Sequence, residues 1–101
     1  MIRAHLRMRV KPGKERAFEK AWWKVALATS YNPGNLGQAL LRDTEPSSFV
    51  ITSDWISVEA FRAFERSPEQ DALTAPLRDL RESAEMCVYE IVHHVEPWRG
   101  S

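Results

Sequence analysis

A chain of 101 residues with an apolar share of 44% has the length of one ordinary domain and enough apolar side chains for a core. Its 14 basic and 14 acidic residues cancel, so no long-range field steers it toward nucleic acid or an anionic membrane. No basic run carries interleaved aromatics, and no stretch approaches the roughly 20 apolar residues of a membrane helix.

The opening residues alternate in a strand pattern, unlike the continuous apolar core of an export signal, which makes the cytoplasm the default compartment. Ile2, Ala4, Leu6, Met8 and Val10 fall on one face, with Arg3, His5, Arg7 and Arg9 on the other. Lys11-Pro12-Gly13 breaks this strand. A helix is expected from about Lys14 to Ala28, with Phe18, Trp22, Val25 and Ala26 along its apolar stripe and Trp23 off-centre. Tyr31-Asn32-Pro33-Gly34-Asn35 is a turn-rich loop.

A second strand is expected from Gly37 to Thr44, a turn at Glu45-Pro46-Ser47, and a third strand from Ser48 to Ile56. Ser57 suits a helix N-cap, with Glu59 in the first turn and Val58, Phe61 and Phe64 on the apolar side. Ser67-Pro68-Glu69-Gln70 restarts the helix, and Leu73, Leu77 and Leu80 continue a buried stripe. Ala84 to Val95 reads as the last strand, and about 96–101 as a tail. Residues 1–101 therefore form a single domain of the α+β class. The order β-α-β-β-α-β is the ferredoxin-like arrangement, a four-stranded antiparallel sheet with helices on one face. The third and last strands are apolar on both faces and call for cover on both. A second copy of the sheet in a twofold homodimer would supply what the helices do not.

The stretch from Trp55 to Phe61 reads W-x-S-x-E-A-F, with Trp55, Ser57, Glu59, Ala60 and Phe61 in order. In this it resembles the antibiotic biosynthesis monooxygenase family. The resemblance implies a dimeric α/β barrel in which each subunit encloses its own cavity. It further implies a cofactor-independent monooxygenase that uses molecular oxygen to convert an aromatic, polyketide-like phenol into a quinone, with no cofactor. Quinone-forming members commonly carry an asparagine four residues before the motif tryptophan, where this chain has Ile51. Haem-degrading members carry a histidine in the second helical region, where Ala72-Leu73-Thr74-Ala75 offers none. The alternative on the same fold is a non-redox polyketide cyclase or ligand-binding auxiliary protein.

Other chemistries find little support. His93 and His94 are adjacent in an expected strand and point to opposite faces, and no HxH, HExxH or CxxC spacing occurs, so no metal is expected. Cys87 is the lone cysteine, read as a small buried hydrophobe, and excludes an intrachain disulfide. No phosphate-cradling glycine loop or nucleophile elbow is present. What remains is a cavity with sparse polar groups. If the aliphatic face of the first strand packs on the helices, its other face is expected to look into that cavity. His5 would then serve as base and Arg7 as anion stabiliser. Trp55 would also steady the anion and Tyr89 would orient the substrate. Trp23, Tyr31, Asn35 and Ile51 are the candidate substrate-binding residues. The competing reading makes the arginines a solvated face, Trp55 a core or dimer-contact residue and Tyr89 a packing residue with a wet tip.

Overall fold

The computed structural model describes residues 1–100. Seven elements follow in chain order: β1 (Ile2–Val10), α1 (Glu15–Thr29), β2 (Asn35–Arg42), β3 (Ser48–Trp55), α2 (Val58–Glu65), α3 (Pro68–Leu80) and β4 (Arg81–Glu90). The strands make one antiparallel sheet in the order β2-β3-β1-β4. This is the expected ferredoxin-like α+β fold, with the second helical region divided in two.

Local chemistry sets the helix boundaries. At the start of α1, both oxygens of Glu15 accept the Gly13 N–H at 3.1 Å, so a carboxylate occupies the positive end of the helix. Ser57 is extended and its hydroxyl accepts the Ala60 N–H at 3.1 Å, which caps α2. Ser67 caps α3 in the same way through Gln70, also at 3.1 Å, and Pro68 follows at the first helical position.

Three strands differ from the expected ranges, β3 only in ending at Trp55 instead of Ile56. β2 begins at Asn35, earlier than Gly37, because Asn35 already pairs with Trp55. The chain then passes an irregularity to Gly37, whose φ of 145° favours glycine. β4 runs from Arg81 to Glu90 instead of Ala84 to Val95. Its length follows its only partner, since β1 offers Val10 opposite Arg81 and Ile2 opposite Glu90. Beyond Glu90, the Ile91 N–H still reaches the Met1 carbonyl, and residues 91–100 then run without regular structure. His93 and His94 therefore lie outside the sheet. The proposed tail includes Ser101, which lies outside the described residues.

Residues directly opposite on paired strands share a face. Ile2, Ala4, Met8 and Val10 of β1 and Phe49 and Trp55 of β3 turn toward the helices and are buried. The core has two parts. One gathers Met8, Val10, Phe18, Val25, Phe49 and Leu77, with the Phe18 and Phe49 rings 5.4 Å apart. The other gathers Ile2, Ala4, Trp55 and Phe61. The opposite face of the sheet carries Arg3, His5, Arg7 and Arg9 with Asp54, Thr52 and Val50, and no helix covers it.

Candidate functional site

The sheet's helix-covered side holds a cavity of about 480 Å³ between the two parts of the core. Its walls come from every layer. β1 contributes Ala4, Leu6 and Met8, β3 contributes Ile51, Ser53 and Trp55, and the helices add Trp22, Phe61 and Phe64. Each follows from local periodicity. Ile51, Ser53 and Trp55 alternate along a strand, Phe61 and Phe64 are three apart on a helix, and Trp22 lies between Phe18 and Val25 on the buried stripe of α1. The volume is in the range of pockets that hold a small organic molecule.

Trp55 is fully buried and is fixed from two directions. Its ring centre lies 5.8 Å from that of Phe61 and 4.8 Å from that of Phe64, both tilted. Its indole N–H donates to the Ser53 hydroxyl at 3.0 Å, which leaves the Ser53 proton free to donate in turn. The preceding loop is held close to the helix that follows Trp55. The Gly34 carbonyl accepts the Ile56 N–H, and a Cβ on Gly34 would sit 2.9 Å from that of Ala60, so only glycine fits without a shift.

Polar side chains make up a substantial part of the lining, and most of them are engaged internally. Gln38 donates to the Ala26 carbonyl at 2.7 Å. Glu65 pairs with Arg62 at 2.7 Å. Thr74 donates to the Gln70 carbonyl at 2.9 Å and accepts from Arg78 at 2.8 Å, and Arg78 also meets the Asp71 carboxylate at 3.3 Å. Arg81, the first residue of β4, is half-buried beside Arg78. Burial, then repulsion from Arg78, lowers the pKa of its guanidinium from the ordinary value.

The structure corrects the expected orientation of β1. Ala4 and Leu6 line the cavity, while His5 and Arg7 occupy the other face of the sheet. The reason is the period of two: once the aliphatic row packs under the helices, the space beneath those helices is reached by that same row. Arg7 meets Asp43 at 3.0 Å. The His5 ring stands edge-on to Tyr89, with centres 6.2 Å apart. Cys87 first, and to a lesser degree the charge of Glu85, push the Tyr89 hydroxyl above its ordinary pKa. Cys87 is half-buried beside His5 on this open face. Asp54 forms a two-point pair with Arg3, at 2.7 and 2.9 Å.

Of the named candidates, Trp55 and Ile51 therefore come together in the cavity, and His5, Arg7 and Tyr89 gather on the opposite face. Trp23 is exposed on α1 and Tyr31 is exposed in the following loop. Asn35 turns its amide toward the Asp54 carbonyl at 3.4 Å, and it does not line the cavity. Sequence reasoning did not single out Ser53, Gln38, Thr74, Arg78 or Arg81 for the site. Ser53 was findable, since it stands between Ile51 and Trp55 in the alternation. The others required knowing which helix turn faces which strand. Among the described residues, no group of three or more His, Cys, Asp or Glu side chains could hold a metal ion.

A ferredoxin-like sheet whose motif tryptophan walls a cavity under the helices defines the class. Residues 1–76 match the family model described as antibiotic biosynthesis monooxygenase, and the chain belongs to that family. Its fold is that of SnoaB from Streptomyces nogalater, a cofactor-independent oxygenase solved there as a single-residue variant. The two share 23% identity and a TM-score of 0.85, over 95% of this chain and 97% of the other. A candidate antibiotic biosynthesis monooxygenase from Deinococcus radiodurans is 19% identical, with a TM-score of 0.84 over 98% and 100% of the two chains. A conserved protein from Methanosarcina mazei is 19% identical, with a TM-score of 0.80 over 87% and 89%. No curated protein matches the chain.

Proposed function

We propose that the protein is a cofactor-independent monooxygenase that oxidises an aromatic, polyketide-like phenol to a quinone in the cavity walled by Trp55. The observation that carries this reading is the cavity itself: about 480 Å³, with an aromatic wall of Trp22, Trp55, Phe61 and Phe64 facing polar groups from the helices, in a chain of the monooxygenase family. Such a site receives a flat aromatic body and keeps bulk water from it.

The chemistry balances without a metal or a flavin. The phenol loses a proton to give an electron-rich anion, and the anion passes one electron to molecular oxygen. The resulting radical pair combines into a peroxide at the activated ring carbon. Loss of water from that peroxide leaves the new carbonyl of a quinone. The protein's part is to hold the anion, orient the ring and exclude water. Trp55 serves as the rigid wall, and Ser53 holds its indole in place. His5, Arg7 and Tyr89 act in this reading only where a second copy of the sheet encloses their face. Oxygen uptake with an anthrone as model substrate tests the proposal: consumption of one oxygen molecule per quinone formed is expected.

A second reading is favoured by Ile51. This apolar residue lines the cavity at the position where quinone-forming members commonly carry an asparagine. A non-redox cyclase or ligand-binding auxiliary protein would bind the same phenol with no oxygen consumed, and that result would remove the oxygenase.

The assembly we propose is a cytoplasmic homodimer of single-domain subunits, joined through the uncovered sheet face. Leu41 is about half exposed there, beside Val50, and Tyr89 is similarly exposed on the strand at the other edge. No helix of the described residues is long and apolar enough to cross a membrane. Leu41→Arg should shift sedimentation from dimer to monomer, and a wild-type chain that sediments as a monomer would overturn this assembly.

A further inference from the structure

The outer surface of α1 departs from an ordinary solvent face. The helix buries Phe18, Val25, Ala26 and Thr29 on its inner side. On the opposite side, residues four apart fall into rows along the helix. One row is Arg16, Lys20 and Lys24, all exposed. The row beside it is Trp23 and Leu27, 60% and 50% exposed, and exposed Tyr31 follows just past the helix end. A single apolar residue on a surface needs no explanation. A tryptophan and a leucine on successive turns, at the centre of a solvent face, form a patch. An aromatic anchor with a charged rim is a composition found where proteins bind one another.

The charge of the first row is unanswered. Among the described residues, Arg16, Lys20 and Lys24 have no carboxylate within ion-pair distance. The acidic residues of α1 are engaged elsewhere: Glu15 accepts from Gly13 and Ser47, and Glu19 pairs with Arg42 at 2.9 Å. The chain as a whole is neutral, so this face is a local excess of positive charge and not part of a general one. Its shape narrows the occupant. A helix that lies in a membrane surface sinks a broad apolar face among the lipids. The broad apolar face of α1 is already buried, and the apolar part left outside is one row wide. A narrow apolar row beside a cationic row fits the surface of another helix. There, carboxylates four apart repeat at about 6 Å, the same rise that separates Arg16, Lys20 and Lys24.

We propose that the outer face of α1 docks an acidic amphipathic helix of a partner protein. Carboxylates four apart on that helix face Arg16, Lys20 and Lys24, and an aliphatic row beside them covers Trp23 and Leu27. Trp23 is the anchor, because an indole offers a large apolar area and loses little freedom on binding. The cations select a partner of opposite sign and align the two rows. Tyr31 extends the apolar row past the end of α1. The neighbouring Trp22 turns inward to the cavity, and none of the docking residues lines it. Docking on this face therefore holds whether the cavity is an oxygenase site or a binding site.

Fluorescence anisotropy of labelled peptides, titrated with the full chain, tests the docking. The first probe is a stapled helical peptide of about four turns, with glutamates four apart along one row and leucines along the next. The second has the same composition with glutamates and leucines on opposite faces. Wild-type protein should bind the first about tenfold or more tightly than the second, and rising salt should weaken that binding. Trp23→Ala should weaken it by about tenfold or more, while the exposed helix position accepts alanine without loss of fold. Lys20→Glu should weaken it too, and a peptide whose central glutamate is replaced by lysine should bind that variant better than it binds wild type. Such a reversal reads charge pairing, which a loss of stability does not reproduce. Equal binding of the two peptides would overturn the proposal, as would no binding of the first at millimolar concentration. Wild-type affinity in both Trp23→Ala and Lys20→Glu would do the same. Phosphatidylserine vesicles that bind wild type and neither variant, with both peptides unbound, would assign the face to lipid. Trp23→Ala sedimenting as a monomer where wild type is a dimer would assign it to a second copy. Either result removes the partner helix. Should a variant fail to fold, wild-type discrimination between the two peptides decides the matter.

Discussion

The two faces of the sheet are built from the same strands and have become different materials. On the helix side, Ile2, Ala4, Met8 and Val10 are buried among aromatic rings, and the gap between the two parts of the core is the cavity. On the other side, Arg3, Arg7 and Arg9 reach across to Asp54, Asp43 and Glu45 in ion pairs open to solvent. Exposed pairs of this kind contribute only about 0 to 1 kcal/mol each, whereas one large buried side chain contributes about 1.5 to 3 kcal/mol. Stability therefore belongs mostly to the first face, and so does the cavity a substrate needs. The second face offers register and a surface for assembly.

The comparison can be pressed at several points. Phe18→Ala should be the most damaging change, because Phe18 is fully buried against Phe49. A loss of about 3 to 5 kcal/mol is expected, read as a lower denaturant midpoint. A loss under 1 kcal/mol would show that the helix side does not dominate. Trp55→Phe keeps an aromatic wall but removes the N–H that Ser53 accepts and part of the ring. It should weaken naphthol binding by about two- to tenfold with the fold intact. Ser57→Ala removes the cap of α2 and should cost about 1 kcal/mol, seen as a lower melting temperature.

Acid sharpens the contrast at the sheet's far end. Asp43 is held below the ordinary carboxylate pKa, first by the Thr44 backbone N–H and hydroxyl and then by Arg7. Glu15 is lowered first by its own backbone N–H, with smaller help from Ser47, Gly13 and Arg42. A carboxyl whose folded pKa is depressed stabilises the fold above its unfolded pKa, and that contribution fades as pH falls through the folded value. Stability should thus decline below about pH 4, and Asp43→Asn should make the decline shallower; an unchanged slope would remove Asp43 from the account. The smallest effect is expected from His5→Ala, which should leave stability and naphthol binding unchanged. Depressed turnover in that variant, with naphthol affinity intact, would move the chemistry to the open face of the sheet.

Much of the fold could be read directly. The alternation in Ile2–Val10 specified a strand and its two faces, and the Ser57 and Ser67 caps marked the two helices after β3. β4 was misplaced because its own residues are apolar well past Glu90, and only the length of β1 ends the pairing. The site was partly legible for the same reason. Trp55 and Ile51 lie on the strand whose direction the motif fixed, whereas the inward turn of His5 and Arg7 was an inference about which side of the sheet is hollow.

The amino-acid order by itself determined the elements, their caps, the two-sided character of β1 and the family motif ending at Phe61, because these depend on side chains within a few residues of one another. Only the tertiary structure decided that the hollow lies on the aliphatic side of β1, that Ser53 holds the Trp55 indole, and that Arg81 reaches the cavity without a carboxylate of its own. Those facts depend on which helix turn settles over which strand, a matter of packing between segments far apart in the chain.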